Sequence, residues 1–247
     1  MASYGTLCTE FYDLDKPHAP ARALAFYIRR AREAGGRILE PMSGSGRFLL
    51  PMRQSGLLVD GVDSSPAMLQ ACRAHARRLG IDVNLHLQDL SSLALPSRYA
   101  MAFIPSGSIG LITDGEALRR SLTRVHSHLH PGGVLFLEIV DQSETAGVAT
   151  ELEPRTVRCP DGSAITYSCV VSRSPDSGEI RFAGTYTKRE GVRVVATEVE
   201  EIALRVYGAA RLSAELAACG FKSPRIHTAS ELTFLAESGC TLLEARA

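Results

Sequence analysis

The chain is expected to fold as an α/β protein on a doubly wound sheet, with five parallel strands, an antiparallel end and an antiparallel β insertion after strand five. Three observations predict this. Short apolar runs alternate with segments of helical periodicity through residues 20–140, the pattern of a parallel sheet covered on both faces. The first run, Ile38-Leu39-Glu40, ends in an acid and leads into the glycine turn Gly44-Ser45-Gly46, at the end of the strand where such sheets receive nucleotide-like ligands. Residues 151–205 then lose helical periodicity and break into four extended segments at turn-forming clusters.

Each element follows from local signals. In residues 20–34, Leu24, Tyr27, Ile28 and Ala31 recur at helical spacing, and Gly35-Gly36 supplies a stop. The glycine turn opens a helix from Phe48 to about residue 54. Pro51 lies inside it without an amide donor, so this helix is expected to bend or to start late. Residues 57–63 read as the second strand. Ser65-Pro66 then places an N-cap serine before a proline at the first helical position, and the helix runs through Met68, Cys72, Ala76 and Leu79 to Gly80. Strands at 83–88 and 99–104, a helix at 116–129, and a strand at 134–140 entered through the turn Pro131-Gly132-Gly133 continue the alternation.

In the insertion, Pro160-Asp161-Gly162, Pro175-Asp176-Ser177-Gly178 and Glu190-Gly191 separate the segments. Ile165, Tyr167, Cys169 and Val171 alternate with mostly polar neighbours, so one face is expected to be buried and the other wet. A helix at 209–219, a strand around Ile226 and a last strand at 240–245 would close the sheet. The expected organisation is an N-terminal helical cover (1–36), a ligand-binding core (37–150), the β insertion (151–207) and a C-terminal completion of the core sheet (208–247).

Composition narrows the function. Among 247 residues, Lys plus Arg and Asp plus Glu each number 27, so no broad field recruits nucleic acid or an anionic membrane, and a small, roughly neutral substrate is expected. The six cysteines are scattered, with no C-x-x-C pair, which argues against zinc and for the reduced thiols of a cytoplasmic protein. Residues 1–15 carry acids and no long apolar core, and no run of eighteen apolar residues occurs, so neither export nor a membrane span is expected. His126, His128 and His130 precede the fifth strand at its amino end, away from the expected site, so no metal is assigned to them.

Glu40, Asp63 and Asp89 follow successive strands and line one rim beside the glycine turn. Asp63, 17 residues beyond Gly46, can accept two hydrogen bonds from the vicinal hydroxyls of a ribose. Asp89, or the amide beside it, can meet an adenine edge, while Met68 and Leu90 offer apolar contact to its faces. Glu40 suits a cation. A pyrophosphate there would be repelled by roughly 4 kcal/mol per charge at 4 Å in an effective dielectric of about 20. The dinucleotide fingerprint also needs a third glycine where this chain has Leu49.

The order acid, glycine turn, strand, Asp63-Ser64-Ser65-Pro66, strand, Gln88-Asp89-Leu90 resembles the class I S-adenosylmethionine-dependent methyltransferases, which are Rossmann-like. The resemblance covers about residues 20–140. It implies S-adenosyl-L-methionine as cofactor, with Glu40 and the glycine loop around the amino acid moiety, Asp63 at the ribose and Asp89 beside adenine. The expected cofactor-binding set is Glu40, Met42, Gly44, Ser45, Gly46, Asp63, Ser64, Met68, Gln88, Asp89, Leu90 and Pro105. Met42 stands where that family commonly has glycine.

The architecture is similar, more narrowly, to small-molecule methyltransferases that include amino-sugar N-methyltransferases. Ile104-Pro105-Ser106-Gly107-Ser108 lacks the Asn-Pro-Pro-Tyr type motif of enzymes that methylate nucleobases or protein amides. The implied reaction is methyl transfer to an amine or hydroxyl of a small metabolite, with Tyr12, His18 and Ser106 as candidates beside the acceptor and a homodimer contact through the β insertion. The alternatives are a nicotinamide-dependent oxidoreductase, from the same glycine turn, and a non-catalytic methyltransferase-like binding module.

Overall fold

A computed structural model describes residues 4–140, 149–174, 178–228 and 230–247. Helices α1 (Thr6–Asp15) and α2 (Ala21–Ala34) precede β1 (Ile38–Pro41), α3 (Leu49–Gln54), β2 (Val59–Asp63), α4 (Pro66–Leu79) and β3 (Asn84–Leu87). Next come β4 (Tyr99–Ile104), α5 (Gly115–His128) and β5 (Leu129–Val140). The strands β6 (Thr150–Arg158), β7 (Ala164–Ser174), β8 (Glu179–Glu190) and β9 (Arg193–Arg205) follow, then α6 (Ala209–Ala218), β10 (Lys222–His227), α7 (Thr233–Ser238) and β11 (Cys240–Arg246).

The expected α/β architecture is present. One seven-stranded sheet has the order β10-β11-β5-β4-β1-β2-β3. Its β1 to β5 are mutually parallel, and β11 and β10 run antiparallel at the end. Strand order reverses between β1 and β4, which opens a crevice at the carboxyl ends of those two strands. Both are buried along nearly their whole length, as strands covered on two faces must be.

Helix α2 docks on this sheet through Ala23, Phe26, Tyr27 and Ala31; Leu24 and Ile28, expected in the stripe, are only half-buried. Tyr27 lies 4.7 Å from Phe103 of β4 and Phe26 lies 5.6 Å from Phe136 of β5. Such ring pairs add about 0.5–1.5 kcal/mol each beyond the area they bury. Ser65 caps α4 by accepting from the Met68 amide at 3.1 Å, and Gly80 ends it in the left-handed conformation, as the sequence predicts. Pro51 falls in the first turn of the short α3, where no donor is needed, so the helix starts late rather than bending.

Pro131-Gly132-Gly133 differs from expectation. It belongs to β5, where Tyr99 pairs with Leu129 and Met101 with Val134, so β5 advances five residues while β4 advances two. The extra residues form an irregularity, with Gly132 at φ 79° donating to the Ala247 carbonyl at 2.8 Å. A glycine-rich cluster that signals a turn also serves a bulge, because both need positive φ.

Strands β6 to β9 form a separate four-stranded antiparallel sheet in sequence order. Residues 175–177 of the second expected hairpin turn lie outside the described residues. Ile165, Tyr167, Cys169 and Val171 do share one face, and α1 packs across part of it through Leu7, Cys8 and Phe11. Tyr167 and Tyr186 stack at 4.5 Å under Phe11. The N-terminus of α1 is capped from β9: Glu198 accepts from the Leu7 and Cys8 amides at 3.1 and 2.9 Å, and Glu200 from the Gly5 amide at 3.3 Å. These carboxylates satisfy orphan donors and oppose the positive end of the helix dipole. No helix among the described residues is long and apolar enough to cross a membrane.

Candidate functional site

A cavity of about 540 Å³ opens at the carboxyl ends of β1, β2 and β3. Of the sequence-predicted residues, Met42, Gly44, Asp63, Ser64, Met68, Gln88, Asp89 and Leu90 line it, and Tyr12 joins them from α1. Asp63 organises the wall. Its Oδ2 accepts from the Gly44 amide and its Oδ1 from the Ser65 amide, both at 2.8 Å. One carboxylate therefore ties the glycine turn to the start of α4. Burial pushes its pKa above the usual value, with the backbone donors pulling the other way.

Glycines of the turn do different work. Gly44 (φ 54°) is half-buried in the cavity wall. Gly46 (φ 87°) lies against α4, where a Cβ would come within 2.6 Å of Cys72 Sγ and 2.9 Å of Leu50 Cγ; it permits packing rather than ligand approach. Ser45 is buried beside it, and its carbonyl accepts from His75 Nδ1 at 3.3 Å. Neither Ser45 nor Gly46 lines the cavity.

Met42 takes φ 59°, the left-handed region that costs a non-glycine residue about 1–2 kcal/mol. Its side chain lines the cavity and packs on the core around Leu39 and Ile104, which offsets that strain. Glu40 is only 2 % exposed, and its Oε2 has no hydrogen-bond partner among the described residues. Burial pushes its carboxyl well above the usual range; the Leu49 amide opposes this, and the charge of Asp63 adds to it.

Asp89 caps the short turn Leu90–Ser92, its Oδ1 accepting from the Ser91 amide at 2.8 Å. Gln88 is closed on Ala94, donating to its carbonyl at 3.0 Å and accepting from its amide at 2.8 Å. Pro105 is buried and Ser106 exposed at the tip of β4, outside the cavity lining. His18 is exposed and likewise outside it; its carbonyl accepts from Arg47 Nε at 2.8 Å. The other histidines diverge: His126 meets the Phe221 ring edge-on at 4.9 Å, and His128 Nε2 accepts from the Leu95 amide at 2.9 Å. Among the described residues, no group of three or more His, Cys, Asp or Glu could hold a metal ion.

Several residues of this region escaped the sequence reading. Tyr4 lines the cavity with Tyr12, their rings 6.5 Å apart, and its carbonyl accepts from Ser65 Oγ at 2.8 Å. Glu138 of β5 sits beneath the β4 tip. Its signal was available, since Leu137-Glu138-Ile139 places an acid in an apolar strand as Ile38-Leu39-Glu40 does. A smaller cavity of about 420 Å³, lined by Arg30, His130, Gly132 and Arg246 among others, lies at the amino ends, opposite the end where parallel sheets bind ligands.

Residues 38–133 match the family model described as a methyltransferase domain. The chain thus carries a methyltransferase domain over residues 38–133. It is 30% identical over 144 residues to the dTDP-3-amino-3,6-dideoxy-alpha-D-glucopyranose N,N-dimethyltransferase of Streptomyces fradiae, a stretch covering 56% of this chain and 55% of that one. The chain thus spans about half the length of the curated relatives it matches. Among solved structures, the CcbJ methyltransferase of Streptomyces caelestis aligns with a TM-score of 0.76 and 22% identity, over 100% of this chain and 98% of that one. The sugar N-methyltransferase KedS8 of Streptoalloteichus sp. aligns with a TM-score of 0.76 and 20% identity, over 96% and 91%. At such identities the structural likeness speaks for the fold. The methyltransferase sheet extends through the antiparallel end in β11 and β10, beyond the matched residues.

Proposed function

We propose that the protein transfers a methyl group from S-adenosyl-L-methionine to an amine of a small metabolite, an amino sugar foremost. The observation that carries this reading is the fully buried, unpartnered oxygen of Glu40, which lies outside the cavity lining but close enough to Asp63 of the Gly44–Asp63 clasp to feel its charge. A cationic ligand supplies the partner that this oxygen lacks, and a pyrophosphate does not. Asp63 keeps acceptor capacity for ribose hydroxyls beyond the two amides it already holds. Val62, Met68 and Leu90 give an apolar slot for a purine, with Asp89 at its rim. Tyr4 and Tyr12 cover the cavity from the α1 side. The amine acceptor is supported by the relatives, which include enzymes named for N-methylation of amino sugars.

The bound cofactor supplies an activated sulfonium methyl, so the chain has chiefly to hold, orient and shield. Orientation alone is worth about 7–11 kcal/mol for well-placed reactants, and a neutral amine needs no dedicated base. The domain organisation of a helical cover, core, β insertion and completed sheet serves this chemistry by walling the cavity with α1. A cytoplasmic location accords with the scattered cysteines, none placed in a C-x-x-C pair.

The test is calorimetric titration with S-adenosylmethionine, its demethylated product and reduced nicotinamide cofactors, followed by labelled-methyl transfer to dTDP-3-amino-3,6-dideoxy-α-D-glucopyranose. Saturable binding of the first two and label in the amino sugar are expected. Binding of the nicotinamides alone would reverse the reading, and binding of the sulfonium cofactor without transfer to any amine would leave a binding module.

The outer face of the four-stranded sheet fits a second copy of this chain. One cross-strand row reads Glu151, Val170, Ala183, Glu201, and a parallel row reads Arg158, Ala164, Arg189. Between them lie uncharged rows built on Ser168, Thr185, Val199 and on Thr156, Thr166, Thr187, Thr197. A two-fold axis through this middle sets the acidic row of each copy over the basic row of the other. Sedimentation equilibrium is expected to give a dimer, and the double substitution Thr185→Lys, Val199→Lys a monomer; a monomeric parent refutes the contact.

A further inference from the structure

Glu138 is an acid with no role in the cavity described above, yet it joins three elements. Its side chain is 2 % exposed. Oε1 accepts from Tyr27 Oη of α2 at 2.6 Å, and Oε2 accepts from the Ser106 amide at the tip of β4 at 2.8 Å. Tyr27 is itself fully buried, against Phe103 of β4 and Phe48. The tip that Glu138 holds is unusual. Ser106 has φ 59° and Gly107 φ 71°, and a Cβ on Gly107 would lie 2.6 Å from Val140 Cγ2 of β5.

Two consecutive left-handed residues make a sharp corner that a serine adopts at a cost. Locally, Ser108 closes the corner, its amide and Oγ donating to the Pro105 carbonyl at 3.3 and 3.1 Å, but this turn does not by itself tie the corner to β5. The bond from the Ser106 amide to a buried carboxylate does, because leaving either group unpaired in the interior is expensive. The corner also has a functional position. It caps β4, the strand next to β1 across the crevice where sheet order reverses, and it leads directly into Ser108, which lines the cavity.

We infer that Glu138, backed by Tyr27, is a positioning residue that fixes the Ser106 corner against which the methyl acceptor is aligned. This inference rests on the methyltransferase reading of the site. Glu138 cannot itself serve as a base for the acceptor, since both its oxygens are engaged by protein donors in the interior. Its action is through the backbone at Ser106. Misplacement of about 1 Å in such a wall can slow a reaction by about 100-fold without weakening ligand binding in proportion.

The test compares Glu138→Ala, Glu138→Gln and Tyr27→Phe with the parent in the full-length chain. Three readouts are followed: kcat and KM with dTDP-3-amino-3,6-dideoxy-α-D-glucopyranose, the Kd for S-adenosylhomocysteine, and hydrogen exchange at the Ser106 amide. Glu138→Ala is expected to lower kcat by about tenfold or more while the Kd for S-adenosylhomocysteine stays within about threefold, with faster exchange at Ser106. Glu138→Gln keeps an accepting oxygen and is expected to restore most of the lost kcat and the protection. Tyr27→Phe removes only the supporting hydroxyl and is expected to fall between, which covers a failure of the alanine variant to fold. Equal impairment of Glu138→Gln and Glu138→Ala, or unchanged kcat with an exposed Ser106 amide, overturns the inference. If the parent binds S-adenosylhomocysteine but does not methylate the probe, the acceptor reading fails, and Glu138 is then judged on Ser106 exchange alone.

Discussion

Replacing Glu40 with glutamine is expected to make the protein more stable and its cofactor binding weaker in the same variant. The carboxylate is buried with one oxygen unpartnered, and its pKa is raised by that burial. A group that holds its proton more tightly when folded contributes its full stability below its unfolded pKa and loses that contribution as pH rises through the raised folded value. The penalty of Glu40 is therefore smallest below the ordinary carboxyl range and grows as pH rises above it toward the raised folded value. Asp63 and Glu138 shift in the same direction, also through burial first. The parent should be more stable at about pH 5 than at about pH 8, and Glu40→Gln should flatten part of that difference. At the upper pH we expect a gain of about 1–2 kcal/mol, or about 3–6 °C in melting temperature for a chain of this size.

Cofactor binding should respond the other way. A sulfonium ligand with its ammonium group gives the ionised Glu40 the partner that the folded chain does not, and a charged hydrogen bond of this kind is worth about 1.5–3 kcal/mol. Glu40→Gln is expected to weaken S-adenosylmethionine by about 30-fold, equivalent to about 2 kcal/mol. Because binding draws the proton off a carboxyl whose pKa is raised, the parent's affinity should climb with pH, and the variant should lose that slope. Calorimetry in two buffers of different ionisation enthalpy reads the released proton directly. An affinity unchanged by the substitution would place the cationic end of the cofactor elsewhere.

The alternation of strands and helices, the caps of α4, the antiparallel end and the four-stranded sheet were legible in the sequence because each is written in residues close along the chain. Apolar period, a Ser-Pro start and Gly stops report local backbone states. What escaped depends on partners far away in sequence. The docking of α1 needs Glu198 and Glu200, about 190 positions on, and no periodicity in residues 1–15 announces them. The turn expected at Pro131 is an irregularity in β5, where the Gly132 amide donates to the Ala247 carbonyl, 115 positions on. Ser45 and Gly46 carry the residue types of a ligand loop, yet the close approach of α4 at Cys72 directs them inward. Met42 is the instructive case: its departure from glycine was visible, and the structure keeps the backbone conformation that glycine would supply while using the side chain as packing.

Asp63→Ala should be the most damaging single change in the site, since that carboxylate has two tasks. It accepts the Gly44 and Ser65 amides at 2.8 Å each, so its removal strands two backbone donors at a partly buried corner, at about 1–3 kcal/mol for each donor that water fails to reach. The raised pKa means that burial costs the ionised carboxylate more than its backbone bonds return, which keeps the expected net loss to about 2 kcal/mol, or about 4–8 °C. Binding loses more. The glycine turn is released from α4 and the ribose loses its acceptor, so S-adenosylhomocysteine should weaken by more than about 100-fold, roughly 3 kcal/mol. Asp63→Asn separates the tasks. An amide side chain has one accepting oxygen and presents an NH₂ where the second acceptor stood, so it can satisfy Gly44 or Ser65 but not both. Its stability should fall between parent and alanine, with cofactor affinity nearer to alanine. Cofactor binding by Asp63→Ala within about threefold of the parent would show that the ribose is held elsewhere, and the clasp at Gly44 would then be structural alone.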